Sequence, residues 1–358
     1  MRKILLIIAI SFISYHSYSQ GCVAIKSNGG TCTMTGNDHE SQSGWIFSTN
    51  YRFYKSHKHF VGTDEQKQRE QLGTEVINYV NAFDLDLIRV INNRWSVGIF
   101  VPVSNNIRSS LYEHDNIHRR ETNSFGIGDV RIAAYYWLID PLKHSRFNFQ
   151  AGLGIKLPTG DYKYQDYFYK NDSTKILGPV DQSIQLGDGG TGISMEANAF
   201  YQFSHTAGVY ANAYYLINPR EQNGVSTARG GVPSASAIFY GTDVMSVPDQ
   251  YMLRAGADVR LNSFTLSGGL RMECVTVHDL IGGSNGFRRP GYVLSAEPVV
   301  AYKHQNMQFY LSVPYAIQRN RTQSVPDILK TKKTGVYTHG DAAFADYTIN
   351  AGVSFALK

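Results

Sequence analysis

The chain has 358 residues, 42% of them hydrophobic and only 18% charged, with 24 Tyr, 18 Phe and 33 Gly. A composition this aromatic excludes a disordered chain, and its low charge is poor for a typical soluble one. The formal charge of +5 falls to +3 once Arg2 and Lys3 are discounted, too slight a balance to call for nucleic acid as a partner.

Residues 1–20 have the layout of a secretory signal peptide, with Arg2 and Lys3 ahead of the apolar run Ile4 to Ile10. They are set apart from the fold. Residues 21–44, rich in Gly, Ser and Thr, read as a periplasmic N-terminal segment or a plug in the lumen of a barrel formed by the rest of the chain. In an exported chain, Cys22 and Cys32 are placed to close a small loop as a disulfide, and lipidation of Cys22 is the other reading. Cys274 sits in an apolar alternation and reads as a small hydrophobe.

From residue 45 onward, period-two alternation dominates, while no apolar run approaches the ~20 residues of a membrane helix. In chain order the alternating segments start at Trp45, Ile77, Trp95, Val130, Phe147 and Ile193, then at Val209, Tyr251, Phe264, Tyr292, Met307 and Tyr347. In the last of these, Tyr347, Ile349, Ala351, Val353, Phe355 and Leu357 share one face, and small or polar residues take the other. The Ile77 segment fits least well: Asn81 falls in the apolar phase and Leu87-Ile88 interrupts it, so a bulge is expected there. Short turns at Asn92-Asn93, 139–145, 204–206, Asn262-Ser263 and His304-Gln305 alternate with long polar links at about 56–75, 105–126, 158–190, 218–249, 278–290 and 318–344.

A soluble sandwich would turn its polar face to water with more Lys and Glu than occur here. The apolar phase carries a charge only at Arg89, and a Lys or Arg facing lipid at mid-depth costs ~2–4 kcal/mol. Hydrocarbon is therefore the solvent expected on that face. The expected fold is all-β: a transmembrane up-and-down antiparallel barrel of about twelve strands over 45–358, with short periplasmic turns and long extracellular loops.

Three stretches carry a family resemblance. They are Gly126-Ile127-Gly128-Asp129-Val130-Arg131-Ile132-Ala133-Ala134-Tyr135-Tyr136, Gly152-Leu153-Gly154-Ile155-Lys156-Leu157-Pro158-Thr159-Gly160-Asp161 and Leu186-Gly187-Asp188-Gly189-Gly190-Thr191-Gly192. In this order they resemble the outer-membrane family named for the meta-cleavage pathway of phenol degradation. The resemblance implies an outer-membrane barrel that passes small, often aromatic or hydrophobic molecules.

With the apolar phase outward, the lumen phase carries basic residues at Arg52, Arg131, Lys156, Arg254, Arg260, Arg271 and Lys303. Its acids are Asp84, Asp86, Asp129, Glu196, Asp258, Glu273 and Glu297. A balanced interior lacks the one-signed ring that selects ions, so it suits neutral cargo, or charges that pair across the lumen. Pro102, Pro158 and Pro314 fall on the lumen phase near outer strand ends, where a missing ladder donor marks a kink or a strand end; a kink there would open a lateral gap. His57, His59, His114 and His118 fall in outer links and read as solvated, since loop spacing fixes no common face for a metal. The Gly187 to Gly192 stretch precedes a strand, not a helix, and reads as turn chemistry instead of a phosphate cradle.

No cofactor, metal or catalytic group is expected. The nearest nucleophile pair, His144 and Ser145, lies in a short periplasmic turn with no third partner. The expected partners are outer-membrane lipid, a small-molecule solute and, during biogenesis, the outer-membrane assembly machinery, with a monomer by default. Two functions stand: a passive channel for small, mostly neutral molecules, or a sealed barrel whose outer loops bind a partner.

Overall fold

The computed structural model describes residues 43–144 and 146–357. The signal-like segment, Cys22, Cys32 and nearly all of 21–44 lie outside the described residues, as does Ser145.

In chain order the strands are β1 (Gly44–Val61), β2 (Asp64–Glu65), β3 (Ile77–Val90), β4 (Trp95–Ser110), β5 (Arg120–Ile127), β6 (Arg131–Trp137), β7 (Phe147–Lys156), β8 (Gln165–Tyr169), β9 (Lys175–Pro179) and β10 (Gly192–Gln202). They continue as β11 (Ala207–Ile217), β12 (Gln222–Ser226), β13 (Val244–Ser246), β14 (Gln250–Leu261), β15 (Phe264–Val275), β16 (Gly291–His304), β17 (Met307–Ser312), β18 (Tyr315–Arg321) and β19 (Ala342–Leu357). Short helices α1 (Lys67–Gln71), α2 (Ala235–Tyr240) and α3 (Val325–Thr334) sit in three of the long links.

The sheet runs β1, β3, β4, β5 with β6, β7, β10, β11, β14, β15, β16, β17 with β18, and β19. β19 then pairs antiparallel with β1, from Trp45↔Leu357 to Phe60↔Ala342, and so closes the sheet. Counting β5 with β6 and β17 with β18 as single staves, the result is a closed antiparallel barrel of twelve strands. Closure leaves no unpaired strand edge to face hydrocarbon.

Local chemistry sets the short turns. Asn92 Oδ1 accepts the backbone N–H groups of Arg94 and Trp95, both at 2.9 Å, and so closes the β3–β4 turn. Asn262 (φ 55°) and Gln305 (φ 53°) take left-handed conformations in the two-residue connections between Leu261↔Phe264 and His304↔Met307, the geometry that matches the twist of a hairpin.

Burial is inverted relative to a soluble domain. Leu153 is 61% and Leu270 51% exposed, whereas Arg52 and Arg131 are 1% exposed. The outer face is a belt of large apolar side chains, with aromatic pairs at both rims: Trp95–Tyr136 (4.7 Å) and Phe264–Tyr302 (4.8 Å) near the short turns, and the stacked Tyr215–Tyr251 pair (5.9 Å) near the long links. Such a belt is stable only against an apolar solvent.

The bulge expected near Leu87-Ile88 is absent, because β3 keeps unbroken register with both β1 and β4. Asn81 stays in the outward phase with its Oδ1 accepting the Tyr51 hydroxyl at 2.7 Å. Ile88 points inward onto Phe100, Ala133 and Tyr135. The strands also run further than their apolar alternation: β4 reaches Ser110 and β5 begins at Arg120, inside the stretch read as a link.

The real irregularities lie elsewhere. The β5–β6 stave breaks at 128–130 opposite Pro102, whose carbonyl accepts the N–H of Gly128 at 2.7 Å. The β17–β18 stave breaks at 313–314 opposite Pro298, whose carbonyl accepts the N–H of Val313 at 3.2 Å. Within one strand the N–H and C=O of a residue point to the same neighbour, so each proline turns its missing donor toward a stave that is already interrupted.

Candidate functional site

The chemistry-bearing side chains occupy the buried face of the staves. Arg52, Asp84, Asp86, Arg131, Arg254, Asp258, Arg271, Glu273 and Glu297 are all buried, and so is the Glu196 side chain. Arg260 is half-buried, and Lys303 is exposed near the short turns. Alternation on adjacent strands brings most of these charges into contact. Arg52 meets Asp84 at 3.4 Å, and Asn50 donates to the same carboxylate oxygen at 3.3 Å. Arg254 and Arg271 meet Glu297 at 2.8 and 3.5 Å, Arg271 also meets Glu273 at 2.8 Å, and the Ser312 hydroxyl donates to Glu297 at 2.7 Å. Arg131 pairs with Glu196 and stacks on Phe100 at 4.0 Å, and the Tyr135 hydroxyl donates to the same Glu196 carboxylate at 3.0 Å.

The three motif stretches converge on one knot at the β5–β6 break. Asp129 Oδ1 accepts the N–H of Gly160 and its Oδ2 the N–H of Asp188, each at 3.0 Å. Lys156 pairs with Asp188 and reaches Asp129 at 3.6 Å. Thr159 Oγ1 donates to the Gly128 carbonyl at 2.9 Å and accepts the Val130 N–H at 2.8 Å. A Cβ on Gly160 would come within 2.8 Å of the Gly187 nitrogen, and one on Gly187 within 2.7 Å of the Gly160 carbonyl oxygen, so side chains are excluded at both positions.

From this knot, residues 180–190 turn inward across the end that bears the long links. Val180 and Ile184 are wholly buried, Gln182 donates to the Ser246 carbonyl at 2.8 Å, and Asn106 and Ser124 donate to the Ile184 carbonyl. A cluster of charges clamps the segment. Arg289 holds Asp181 with two bonds of 2.8 and 2.6 Å, and Arg108 approaches it at 3.5 Å. Arg108 in turn holds Glu113 with bonds of 2.9 and 2.8 Å, and Arg229 adds another at 2.8 Å. Burial would raise the carboxyl of Asp181, but the guanidiniums of Arg108 and Arg289 outweigh it and hold the group well below the usual carboxylate range. Glu113 is lowered in the same way, with Arg108 and Arg229 outweighing its burial.

Sequence reasoning missed this clamp: Arg108, Glu113, Asp181 and Arg289 all fall in stretches read as polar links, where no period marks an inward direction. Pro298 was missed too, since it lies on the outward phase. Pro314 is buried at the second break, and its carbonyl accepts the Thr348 N–H at 3.0 Å. Pro102 lies well inside β4 rather than near its end. Pro158 is exposed two residues beyond β7, which makes it a strand end and places it off the inner face.

Two of the histidines read as solvated are buried. His59 lies 2.9 Å from Asp341 through Nδ1 and accepts the Val76 N–H at Nε2, while His114 accepts the Tyr169 N–H and stacks on Phe168. Asp115, His118 and Asp172 gather within 4.8 Å, but Arg120 bonds Asp172 at 2.6 Å and Asp115 at 3.3 Å, so a guanidinium already meets their charge. His144 packs against Phe147 in a short turn.

Two partly open cavities of about 80 Å³ each flank the clamped segment, and Ser183 and Arg289 line both. One abuts Pro102 and the knot; the other abuts Pro314, Tyr347 and Thr348, where β18 and β19 pair only at Tyr315↔Tyr347. That thin seam is bridged by side chains, with Arg319 donating to the Ala345 carbonyl at 3.0 Å and to Asp346 at 2.6 Å.

No protein-family model matches the sequence, and no curated protein does. Among solved structures, the chain is similar to an outer-membrane channel from Pseudomonas putida F1, with TM-score 0.59 and 10% identity over 96% of this chain and 100% of that one. It is also similar to the translocator domain of the autotransporter NalP from Neisseria meningitidis, with TM-score 0.45 and 10% identity over 89% and 90% of the two chains. A deltaS2S3 mutant of the monoaromatic hydrocarbon channel TodX aligns with TM-score 0.43 and 10% identity over 95% and 97%. At this identity, the likeness to the Pseudomonas putida channel shows a shared barrel fold.

Proposed function

We propose that the protein is an outer-membrane channel for small, mostly neutral, apolar molecules, exported by its N-terminal segment and working as a passive conduit. The apolar belt and closed ladder support a place in a membrane, and the likeness of the three motif stretches to the phenol meta-cleavage family supports apolar cargo. On this reading, the long links face outward and the short turns face the periplasm. Arg52, Asp84, Asp86, Arg131, Glu196, Arg254, Asp258, Arg271, Glu273 and Glu297 line the lumen.

The observation that carries the reading is the state of the interior charges. Most are committed to one another, so the cavities beside the clamp are bounded largely by neutral side chains such as Leu186, Leu216, Met245 and Val275 on one side and Val293, Pro314, Ala316 and Phe344 on the other. Among the described residues an ion finds no unbalanced ring of charge, whereas an apolar solute finds partners. The thin seam between β18 and β19 gives such a solute a sideways route to the membrane. Purified protein in liposomes should speed equilibration of toluene or phenol well above protein-free vesicles and pass sugars poorly. Equal rates with and without protein would refute the channel.

A second reading, a sealed barrel that binds a partner through its loops, draws on one observation. Val232, Ile238, Phe239, Val336 and Tyr337 are all more than half exposed at the tips of the links bearing α2 and α3. Silence in the liposome assay together with loop-dependent binding would favour it.

A further inference from the structure

The cavity beside Pro102 has one feature that an oily solute alone does not explain. Leu186, Tyr214, Leu216, Met245 and Val275 give it buried apolar walls, and Arg131 also lines it. Glu196, Tyr135 and Ser194 are all met by a single nitrogen of that guanidinium, Nη1. Nε and Nη2 are buried and have no hydrogen-bond partner among the described residues. Phe100 covers a face of the guanidinium at 4.0 Å, so the open donors are those in its plane.

Buried donors are rarely left unmade without a reason. The charges around the cavity also restrict what can satisfy them. Arg131 is balanced by Glu196, Lys156 by Asp188 and Asp129, and Arg289 by Asp181. A ligand carboxylate would add a negative charge that no free cation among the described cavity-lining residues matches. A neutral oxygen acceptor would complete the guanidinium without disturbing that balance.

We propose that this cavity is a binding site for a small, neutral, apolar molecule carrying one hydrogen-bond-accepting oxygen, such as an aromatic ketone, with Arg131 Nε and Nη2 donating to that oxygen. The inference rests on the channel reading for the cargo's apolar character and adds the oxygen to it. A pure hydrocarbon enters the same space but leaves the two donors unmade.

The test compares acetophenone with α-methylstyrene, which has the same shape with CH₂ in place of oxygen. Equilibrium dialysis against the full-length protein in detergent, corrected for protein-free micelles, should show acetophenone bound at least about tenfold more tightly, the factor that ~1.4 kcal/mol represents. The carbonyl stretch of bound acetophenone should move to lower frequency. In a double variant, Arg131→Met with Glu196→Gln, which removes one charge of each sign, the acetophenone preference and the spectral shift should both disappear. Equal affinity for the two solutes in the natural protein overturns the oxygen site and leaves the apolar channel standing. Binding of neither solute overturns both. A preference that survives the double variant removes Arg131 from the site. The natural-protein comparison and the carbonyl stretch decide the matter even if the variant does not fold.

Discussion

Asp129 and Asp188, 59 residues apart, are joined by a hydrogen bond from the backbone N–H of Asp188 to the carboxylate of Asp129, and Lys156 holds both acids. Each of the three motif stretches contributes one of these residues. Gly160 and Gly187 beside them are places where backbones touch, so the motif is the signature of a joint at the β5–β6 break. Asp129→Ala would strand two backbone donors and leave Lys156 with one acid. It is expected to cost about 2–3 kcal/mol, read as a lower temperature for loss of the heat-resistant compact band on electrophoresis. An unchanged transition would mean that the stave break is held elsewhere.

The segment this joint launches is fastened at Asp181. Asp181→Ala removes both bonds from Arg289 and leaves that half-buried guanidinium without its acid, which weakens the hold on the segment across the barrel by about 3 kcal/mol. Single-channel recordings in planar bilayers should show a several-fold rise in mean conductance over the natural protein. A trace indistinguishable from the natural one would mean that 180–190 does not limit passage.

The clamp also sets the pH response. Asp181 and Glu113 are held below their ordinary values, and Asp341 is lowered to about 2 because the bond from His59 together with the charge and bond of Arg69 outweigh its burial. A carboxylate depressed in the folded state contributes fully above its unfolded value of about 4 and loses that contribution as the pH falls toward the folded value. Conductance should therefore stay flat from about pH 7 to pH 5 and rise only below about pH 4. A transition centred near pH 6 would transfer the gate from these acids to another titrating group. The buried His114, pushed down by desolvation, is a poor candidate for that role.

The share of this fold that is legible in the sequence depends on what alternation measures. The pattern Leu266, Leu270, Met272 reports the solvent outside the strand, so it locates the twelve staves where that solvent is hydrocarbon. It fades at Asn105 and Asn106, although the β4–β5 ladder continues to Ser110↔Arg120, because beyond the apolar belt the outer face no longer has to be oily. The inner charges could be read from the same phase, and their pairing follows from register. The clamp could not, because Asp181 and Arg289 are 108 residues apart in links that have no period, and only the closed barrel brings them together. The prolines were half legible. A missing donor is visible in the sequence, but whether it faces an intact or a broken neighbour is decided by the strand beside it.

Leu270 and Arg271 test the assignment of the two faces at adjacent positions. Leu270, paired with Ala255 and Ala296 on the outward face, should lose ~2–4 kcal/mol on replacement by Arg, measured by urea unfolding in lipid vesicles. Arg271→Met should cost about 3–5 kcal/mol, because it leaves Glu273 without the ion-pair contact Arg271 makes and Glu297 with one fewer. If the Leu270 variant were as stable as the natural protein, the outward face would not lie in hydrocarbon.

The route of exit turns on the seam between β18 and β19, where Tyr315 and Tyr347 form the one paired position. Opposed residues of antiparallel strands lie ~4.5–5.5 Å apart at Cα, within the span of a disulfide. A Tyr315→Cys, Tyr347→Cys variant can therefore be locked by oxidation without moving the backbone. If apolar solute leaves sideways, the oxidised form should lose most of its facilitated uptake in liposomes, and a reductant should restore it. Pro158→Ala, at an exposed strand end on the far stave, should leave uptake unchanged in both states. Equal uptake by the oxidised and reduced forms would place the path along the barrel axis, past the Asp181 clamp, and the two variants would then be expected to act through the same gate.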